Sequence, residues 1–335
     1  MNHDKLQSTR FRASLMAWFD RHGRKLPWRA TADPYRILVS EMMLQQTQVT
    51  TVLQYYDRWF ASFPTIKALA AAEEAEVLSA WEGLGYYARA RHLHACARWV
   101  VEHRDGRLPC EVDELLKLPG IGRYTAGAVA SFAFDLPAPI IDANVGRVLS
   151  RLVNLESPID REPGKSILWE LAAQLVAGPR PGTFNSAIME LGALICSSRA
   201  PRCVLCPVRE FCSVPDPELV PNKSPNSKPV RVQENYRWIR QEDRLLLSRS
   251  AGPRWKGLWM LPPAGDVMPH EVALFELRHT VTRFQIHLRV FAGEVAVRLE
   301  DGERFHRLAD IQNLPMPTPH RLSMEAVLRE EQERM

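Results

Sequence analysis

Four cysteines stand at positions 196, 203, 206 and 212, with six, two and five residues between them. Thiolates this closely spaced can all reach one centre, which ties the loop, and the helices leading into it, to a single shape. Four thiolates in one short loop match the complement of a cubic [4Fe–4S] cluster, whereas zinc more often joins two CxxC knuckles from separated elements, and a disulfide is a third use of the same sulfurs. The cluster, with Cys196, Cys203, Cys206 and Cys212 as ligands, is the first expectation, and zinc and a disulfide are its rivals. Cys96 and Cys110 lie upstream in helical-looking sequence and are expected as small core residues.

At 335 residues and 46% hydrophobic, the chain can build two cores. Its first nineteen residues lack an uninterrupted apolar stretch, and no run approaches the roughly 18 apolar residues of a membrane helix. A soluble, cytoplasmic chain with no membrane partner is therefore expected. The net charge of +4 is mild but unevenly placed. Arg199, Arg202 and Arg209 sit on the cysteine loop, where they offset a cluster's negative charge and suit either a polyanionic partner or solvated surface.

From about residue 6 to 212 the apolar spacing is helical, as over 65–81, and is broken by short Gly/Pro turns. Five prolines between 214 and 229 cannot propagate a helix and mark a semi-rigid connector. Beyond it, residues 230–239, 244–248 and 282–291 read as strands, and 323–333 as a closing polar helix.

Residues 115–133, LLKLPGIGRYTAGAVASFA, read as helix, turn and helix, with Gly120 and Gly122 letting the backbone turn tightly and bare its amides. Amides next to a helix N-terminus suit a DNA phosphate, while a plain turn between helices is the blander reading. Gly83 and Gly85 follow a helix, not a strand, so a dinucleotide fingerprint is not inferred. Two acids stand in apolar settings. Glu41 lies in SEMMLQQTQ, where desolvation would raise its pKa, and Asp142 follows Pro139-Ile140-Ile141. A protonated acid and an ionised one form the pair that cleaves a glycosidic bond, although each residue also suits a helix cap or surface carboxylate.

The motifs PWR (27–29), SEMMLQQTQV (40–49), GLGYYARAR (83–91), LPGIGRYTAGAVAS (118–131), IDANVGRV (141–148), MELGA (189–193) and the cysteine quartet follow in order. In them the chain resembles the MutY family of adenine-DNA glycosylases, among the helix-hairpin-helix glycosylases related to endonuclease III. RWKGLWMLP (254–262) resembles the start of that family's Nudix-like module, which reads oxidised guanine; no Nudix catalytic box is visible. The resemblance implies a multi-domain chain: an all-α helix-hairpin-helix glycosylase domain over 1–213, with its hairpin at about 113–133 and its [4Fe–4S] loop at 196–212. A connector at 214–229 and an α+β Nudix-like domain over 230–335 follow.

It further implies excision of adenine opposite 8-oxoguanine or guanine in double-stranded DNA by a monomer associated with the nucleoid. Glu41 would protonate adenine N7 and later help deprotonate water, Asp142 would stay anionic beside the sugar, and Tyr124 and Asn144 would shape the site. Trp28 and Arg29 match pocket residues, and Gln46 and Tyr86 match residues that fill or wedge the disturbed stack. Leu44, Thr47, Leu84, Gly85, Gly120 and Gly122 complete the implied DNA-binding set. Relatives that also cut the strand carry lysine after GxGR, to form a Schiff base with the sugar; here Tyr124 fills that position, which implies little or no lyase step.

Two departures stand out. Many relatives read the lesion with Phe-Ser-His, but here Val281-Thr282-Arg283 follows His279, leaving Thr282 as the hydroxyl donor. Ser186 occupies a position where relatives often carry a longer Gln or Glu near the base. A thymine or oxidised-pyrimidine glycosylase of the same superfamily, and a non-catalytic iron–sulfur protein that binds DNA and senses redox state, are the alternatives.

Overall fold

Apolar residues at helical spacing give eleven helices among the described residues before position 195: α1 (Ser8–His22), α2 (Pro34–Leu44), α3 (Val49–Ser62), α4 (Ile66–Ala71), α5 (Glu74–Ala80), α6 (Ala88–Arg104), α7 (Val112–Leu115), α8 (Arg123–Phe134), α9 (Ala143–Leu152), α10 (Gly164–Val176) and α11 (Pro181–Leu194). These come from a computed structural model that describes residues 8–225, 228–294 and 299–333. The helix expected over 65–81 is two helices, α4 and α5. Glu73 turns to an extended conformation, and its amide donates to Glu76 Oε2 at 2.9 Å, so a new helix is capped where the old one would have continued. Cys96 is buried as expected, but Cys110 is exposed: it follows Pro109 in a non-helical segment between α6 and α7.

The chain divides into two compact units. One comprises Met1–Asp57, Phe63–Ala70 and Ala95–Pro225. Its core joins Phe11 and Leu15 of α1 to Val148 and Leu149 of α9 and to Phe184 and Leu191 of α11. Burying these large side chains removes apolar area from water at about 25 cal/mol per Å², which is what holds short helices together. The connector is tied to this unit: Asn222 accepts from the Ile159 amide at 3.1 Å and donates to Glu156 O at 2.8 Å, and the Ser224 amide donates to Asp160 at 3.0 Å.

The other unit comprises Arg58–Ser62, Ala71–His94 and Asn226–Met335. Its strands are β1 (Val230–Trp238), β2 (Arg240–Gln241), β3 (Arg244–Arg249), β4 (Trp259–Met260), β5 (Ala273–Val281), β6 (Phe284–Ala292) and β7 (Glu303–Arg307), followed by α12 (Leu308–Ile311) and α13 (Thr318–Glu333). β6 lies between β1, parallel to it, and β5, antiparallel; β3 pairs with β2, β4 and β7. Tyr236, Leu245, Leu288 and Val290 meet Met324 and Val327 of α13 in its core. The strand expected from residue 282 begins instead at Phe284, because Thr282 and Arg283 are the turn of the β5–β6 hairpin, in which Val281 pairs with Phe284. Thr282 holds φ at 52°, a left-handed conformation uncommon for a β-branched residue.

Candidate active site

Asp33 caps α2 by accepting from the amides of Tyr35 at 2.9 Å and Arg36 at 3.4 Å. That start places Glu41 on the inner face of the helix, 3% exposed among Leu38, Met42 and other core residues. α2 packs on α8, whose first turn carries Tyr124, and the Tyr124 hydroxyl donates to Glu41 Oε2 at 2.6 Å. Asp142 is the N-cap of α9: Oδ1 accepts from the Val145 amide at 2.6 Å, and Oδ2 accepts from Asn144 Nδ2 at 3.3 Å. The capping role open to any aspartate at this position is thus real, and the same carboxyl also borders the cavity that Glu41 lines.

Burial pushes the Glu41 carboxyl up to about 7; the Asp142 charge adds to this, while the Tyr124 hydroxyl and Arg29 oppose it. Tyr124 is pushed well above the ordinary phenol range by burial and by the two carboxyls. Burial also raises Asp142, but the Val145 amide, Asn144 and Arg147 pull the other way. Burial thus raises both acids, and the donors grouped about Asp142 favour its anion.

These groups border one cavity of about 1250 Å³, which has room for a nucleoside. Of the residues singled out from sequence, Trp28, Arg29, Glu41, Leu44, Gln46 and Thr47 line it from the side of α2. Tyr124, Asp142, Asn144 and Ser186 line it from α8, α9 and α11. Gln46 is exposed with φ at 55°, in the turn after α2.

Other candidates lie elsewhere. Gly120 and Gly122 form the hairpin before α8, but only Gly120 needs glycine for its conformation, with φ at 72°. Gly122 is extended, with φ at −94°, and a Cβ there would meet no atom within 4 Å, so its bare face is open to a close partner. Leu84 is buried, Gly85 has φ at 67°, and Tyr86 is 43% exposed; all three belong to the second unit, as does Thr282. The Thr282 hydroxyl donates to its neighbour's carbonyl, Val281 O, at 2.7 Å.

Sequence reasoning missed Glu190. Fully buried at the cavity wall, it accepts from the Arg24 amide, Nε and Nη2 at 2.9, 2.8 and 2.8 Å and from Arg29 Nη2 at 3.0 Å. Burial alone would raise its pKa, but the Arg24 and Arg29 hydrogen bonds win and bring it down to about 2. The signal was present: Met189-Glu190-Leu191 sets an acid between apolar residues, as around Glu41. Glu190→Gln is expected to cost about 1–3 kcal/mol of stability, by removing the charge that Arg24 and Arg29 share. An unchanged urea midpoint would show that the triad holds nothing.

Polar contacts continue from Asp142 towards the cysteines. Asn144 Oδ1 accepts from Arg147 Nη2 at 2.8 Å, and Arg147 Nε donates to Cys196 O at 2.8 Å. Arg151 Nη1 reaches Cys196 Sγ at 3.3 Å and Ser197 O at 2.7 Å. No disulfide joins any of the six cysteines in this structure. Cys196, Cys206 and Cys212 pack half-buried against the helical core. Cys206 is pushed up to about 11 by burial, and Cys196, Cys212 and Cys203 each add to the shift, so the four sulfurs lie within electrostatic reach of one another. Among the described residues, no three His, Cys, Asp or Glu side chains meet in the arrangement of a single-ion site.

Residues 39–174 match the family model of the HhH-GPD superfamily of base excision DNA repair proteins. The human adenine DNA glycosylase is 46% identical over 222 residues, covering 62% of this chain and 40% of that protein, so the chain spans less than half of that relative's length. The adenine DNA glycosylase of Buchnera aphidicola subsp. Schizaphis graminum is 33% identical over 258 residues, covering 75% of this chain and 74% of its own. Among solved structures, a thermostable thymine-DNA glycosylase superposes with a TM-score of 0.58 at 31% identity, covering 64% of this chain and 98% of its own. Together with the two acids and the tyrosine that line one cavity, and the hairpin, these likenesses show that the chain belongs to the adenine DNA glycosylases of the HhH-GPD superfamily.

Proposed function

We propose that the chain is a monofunctional DNA glycosylase that excises adenine mispaired with 8-oxoguanine or guanine by hydrolysing the N-glycosidic bond. The observation that carries this reading is the buried Glu41 carboxyl, pushed up to about 7 and held by Tyr124 at 2.6 Å, in the same cavity as Asp142. Adenine must leave the stack to reach such a cavity. Glu41 gives its proton to N7, the bond from N9 to C1′ breaks, and adenine departs neutral. Asp142 faces the positive charge that develops on the sugar. Water adds at C1′, and the Glu41 carboxylate takes up the proton that water releases. Tyr124, a phenol hydrogen-bonded to a carboxylate, offers no amine for a Schiff base.

The hairpin amides around Gly120 and Gly122 would hold a backbone phosphate, and the exposed Arg199, Arg202 and Arg209 would add phosphate contacts. Four half-buried cysteines in one short loop, with six, two and five residues between them, fit a [4Fe–4S] cluster on Cys196, Cys203, Cys206 and Cys212 better than a single zinc ion. When bound, the cluster supplies electrostatic and structural order to the loop that carries those arginines. Purified protein should carry about four irons per chain; zinc in their place would reject the assignment.

Duplexes bearing A:8-oxoG, A:G, T:G or an oxidised pyrimidine separate the readings when abasic product is scored with and without alkali. Release of adenine, with strand breaks only after alkali, is expected. The T:G arm matters because the thymine-DNA glycosylase structure shares 31% identity; release of thymine alone would replace the adenine reading. Thr282, at the tip of the β5–β6 hairpin, is the proposed hydroxyl reader of 8-oxoguanine, with residues 230–335 as a Nudix-like lesion-reading domain. Thr282→Ala should reduce the preference for A:8-oxoG over A:G several-fold, about 1 kcal/mol for one neutral hydrogen bond, and leave cleavage of A:G unchanged. Equal loss on both duplexes would move lesion reading elsewhere.

A further inference from the structure

The segment carrying Tyr86 has an unusual backbone. Gly83, Gly85 and Tyr86 all take positive φ, at 95°, 67° and 45°. For a tyrosine this conformation is strained and persists only where surroundings hold it. Part of the support is local. Trp81 Nε1 donates to Gly85 O at 3.0 Å, and the buried Arg89 donates from Nη2 to Leu84 O at 2.8 Å and Gly85 O at 3.1 Å. The Arg89 guanidinium also lies 5.7 Å from the centre of the Tyr86 ring.

The rest comes from the far end of the chain, within the same compact unit. Glu82, one residue before the turn, accepts from Arg321 Nε at 2.8 Å and Nη2 at 2.9 Å, a two-pronged pair with side chains 22% and 14% exposed. It also accepts from the Met316 amide at 3.2 Å. On the other side of Tyr86, the Tyr87 hydroxyl donates to Met316 O at 3.0 Å. Arg321 is itself fixed by the Ile311 and Leu314 carbonyls, at 2.9 and 2.8 Å. Residues 82 and 87 thus bracket the strained tyrosine, and both are fastened to the segment between α12 and α13.

We infer that Arg321, acting through Glu82, is a positioning residue that holds the Tyr86 loop in the conformation that engages the DNA stack. The inference rests on the proposed function for what Tyr86 does, but not for how its loop is held. On that reading the second unit would act in mispair recognition twice over, through the β5–β6 hairpin and through the posture of Tyr86.

Hydrogen exchange tests the hold without any activity. In the full-length protein, Arg321→Ala and the milder Glu82→Gln should each speed amide exchange at residues 83–87 about tenfold or more while leaving β6 unchanged. Unchanged exchange at 83–87, or acceleration throughout the unit, would overturn the inference. Kinetics test its consequence. Both variants should raise KM for an A:8-oxoG duplex about tenfold, with the single-turnover rate at saturating enzyme within twofold of the parent, and Arg321→Lys should recover part of the loss. In a Tyr86→Ala background, Arg321→Ala should add nothing; full additivity would mean that Arg321 does not act through Tyr86. If the parent releases no adenine while exchange responds as expected, the proposed function fails and the account of the loop stands.

Discussion

Glu41→Gln should lower the single-turnover rate of adenine release about 10³-fold or more and, above pH 7, make the protein more stable. The loss follows from removing the proposed general acid, a role worth roughly 10²–10⁴-fold. The gain follows from the same burial. The folded carboxyl holds its proton up to about 7, against an ordinary 4.5. A raised folded pKa means that this group's contribution to stability is complete below pH 4.5 and is lost as pH climbs through about 7. Above that, the ionised buried carboxyl costs up to about 3 kcal/mol relative to a neutral side chain of the same shape. Glutamine has that shape and can still accept from the Tyr124 hydroxyl.

Paired measurements check both halves. In the parent, the rate should fall about tenfold per pH unit above about 7, as the acid form of Glu41 is titrated away. The urea midpoint of Glu41→Gln should exceed the parent's at pH 8 and equal it near pH 4.5. Retained excision would remove Glu41 as proton donor, and a lower midpoint at pH 8 would mean that the carboxyl is hydrated and not strained by burial.

Much of this site was legible because its chemistry lies in short, local patterns. An acid among apolar residues made Glu41 a candidate and an apolar run into an aspartate made Asp142 one, while Tyr124 came from the family resemblance, as the residue after GxGR. What could not be read was pairing across distance. Glu190 and Arg24 are 166 residues apart, and Glu82 and Arg321 are 239 apart, so nothing in local spacing joins them. The break between α4 and α5 was missed because helical periodicity continues across it, whereas a single reciprocal cap at Glu73 decides the backbone. The β5–β6 turn was missed because Thr and Arg are poor turn residues; the pairing of Val281 with Phe284 imposes a positive φ that propensity disfavours. That cost falls at a proposed reading residue, where local rules are most often broken for function.

Asp142→Asn should reduce the single-turnover rate by about 10²–10³-fold, or roughly 3–4 kcal/mol of barrier, with no loss of stability. The two effects separate because the carboxyl performs two tasks. As N-cap, Oδ1 accepts from the Val145 amide at 2.6 Å, and an asparagine oxygen can do the same at little cost. In its proposed place beside the breaking bond, it would carry a full negative charge towards an electron-poor sugar, which an amide cannot supply. The substitution should also act on Glu41. The Asp142 charge helps to raise Glu41, so its removal should lower the Glu41 pKa and move the alkaline limb of the rate profile to lower pH. Asp142→Ala should lose the cap as well, adding about 1 kcal/mol of instability to the same kinetic defect. A rate for Asp142→Asn within threefold of the parent would confine Asp142 to capping α9. A large defect with an unmoved alkaline limb would mean that the two acids do not sense each other, and the account in which the Asp142 charge helps to hold the proton on Glu41 would fall even if both residues proved essential.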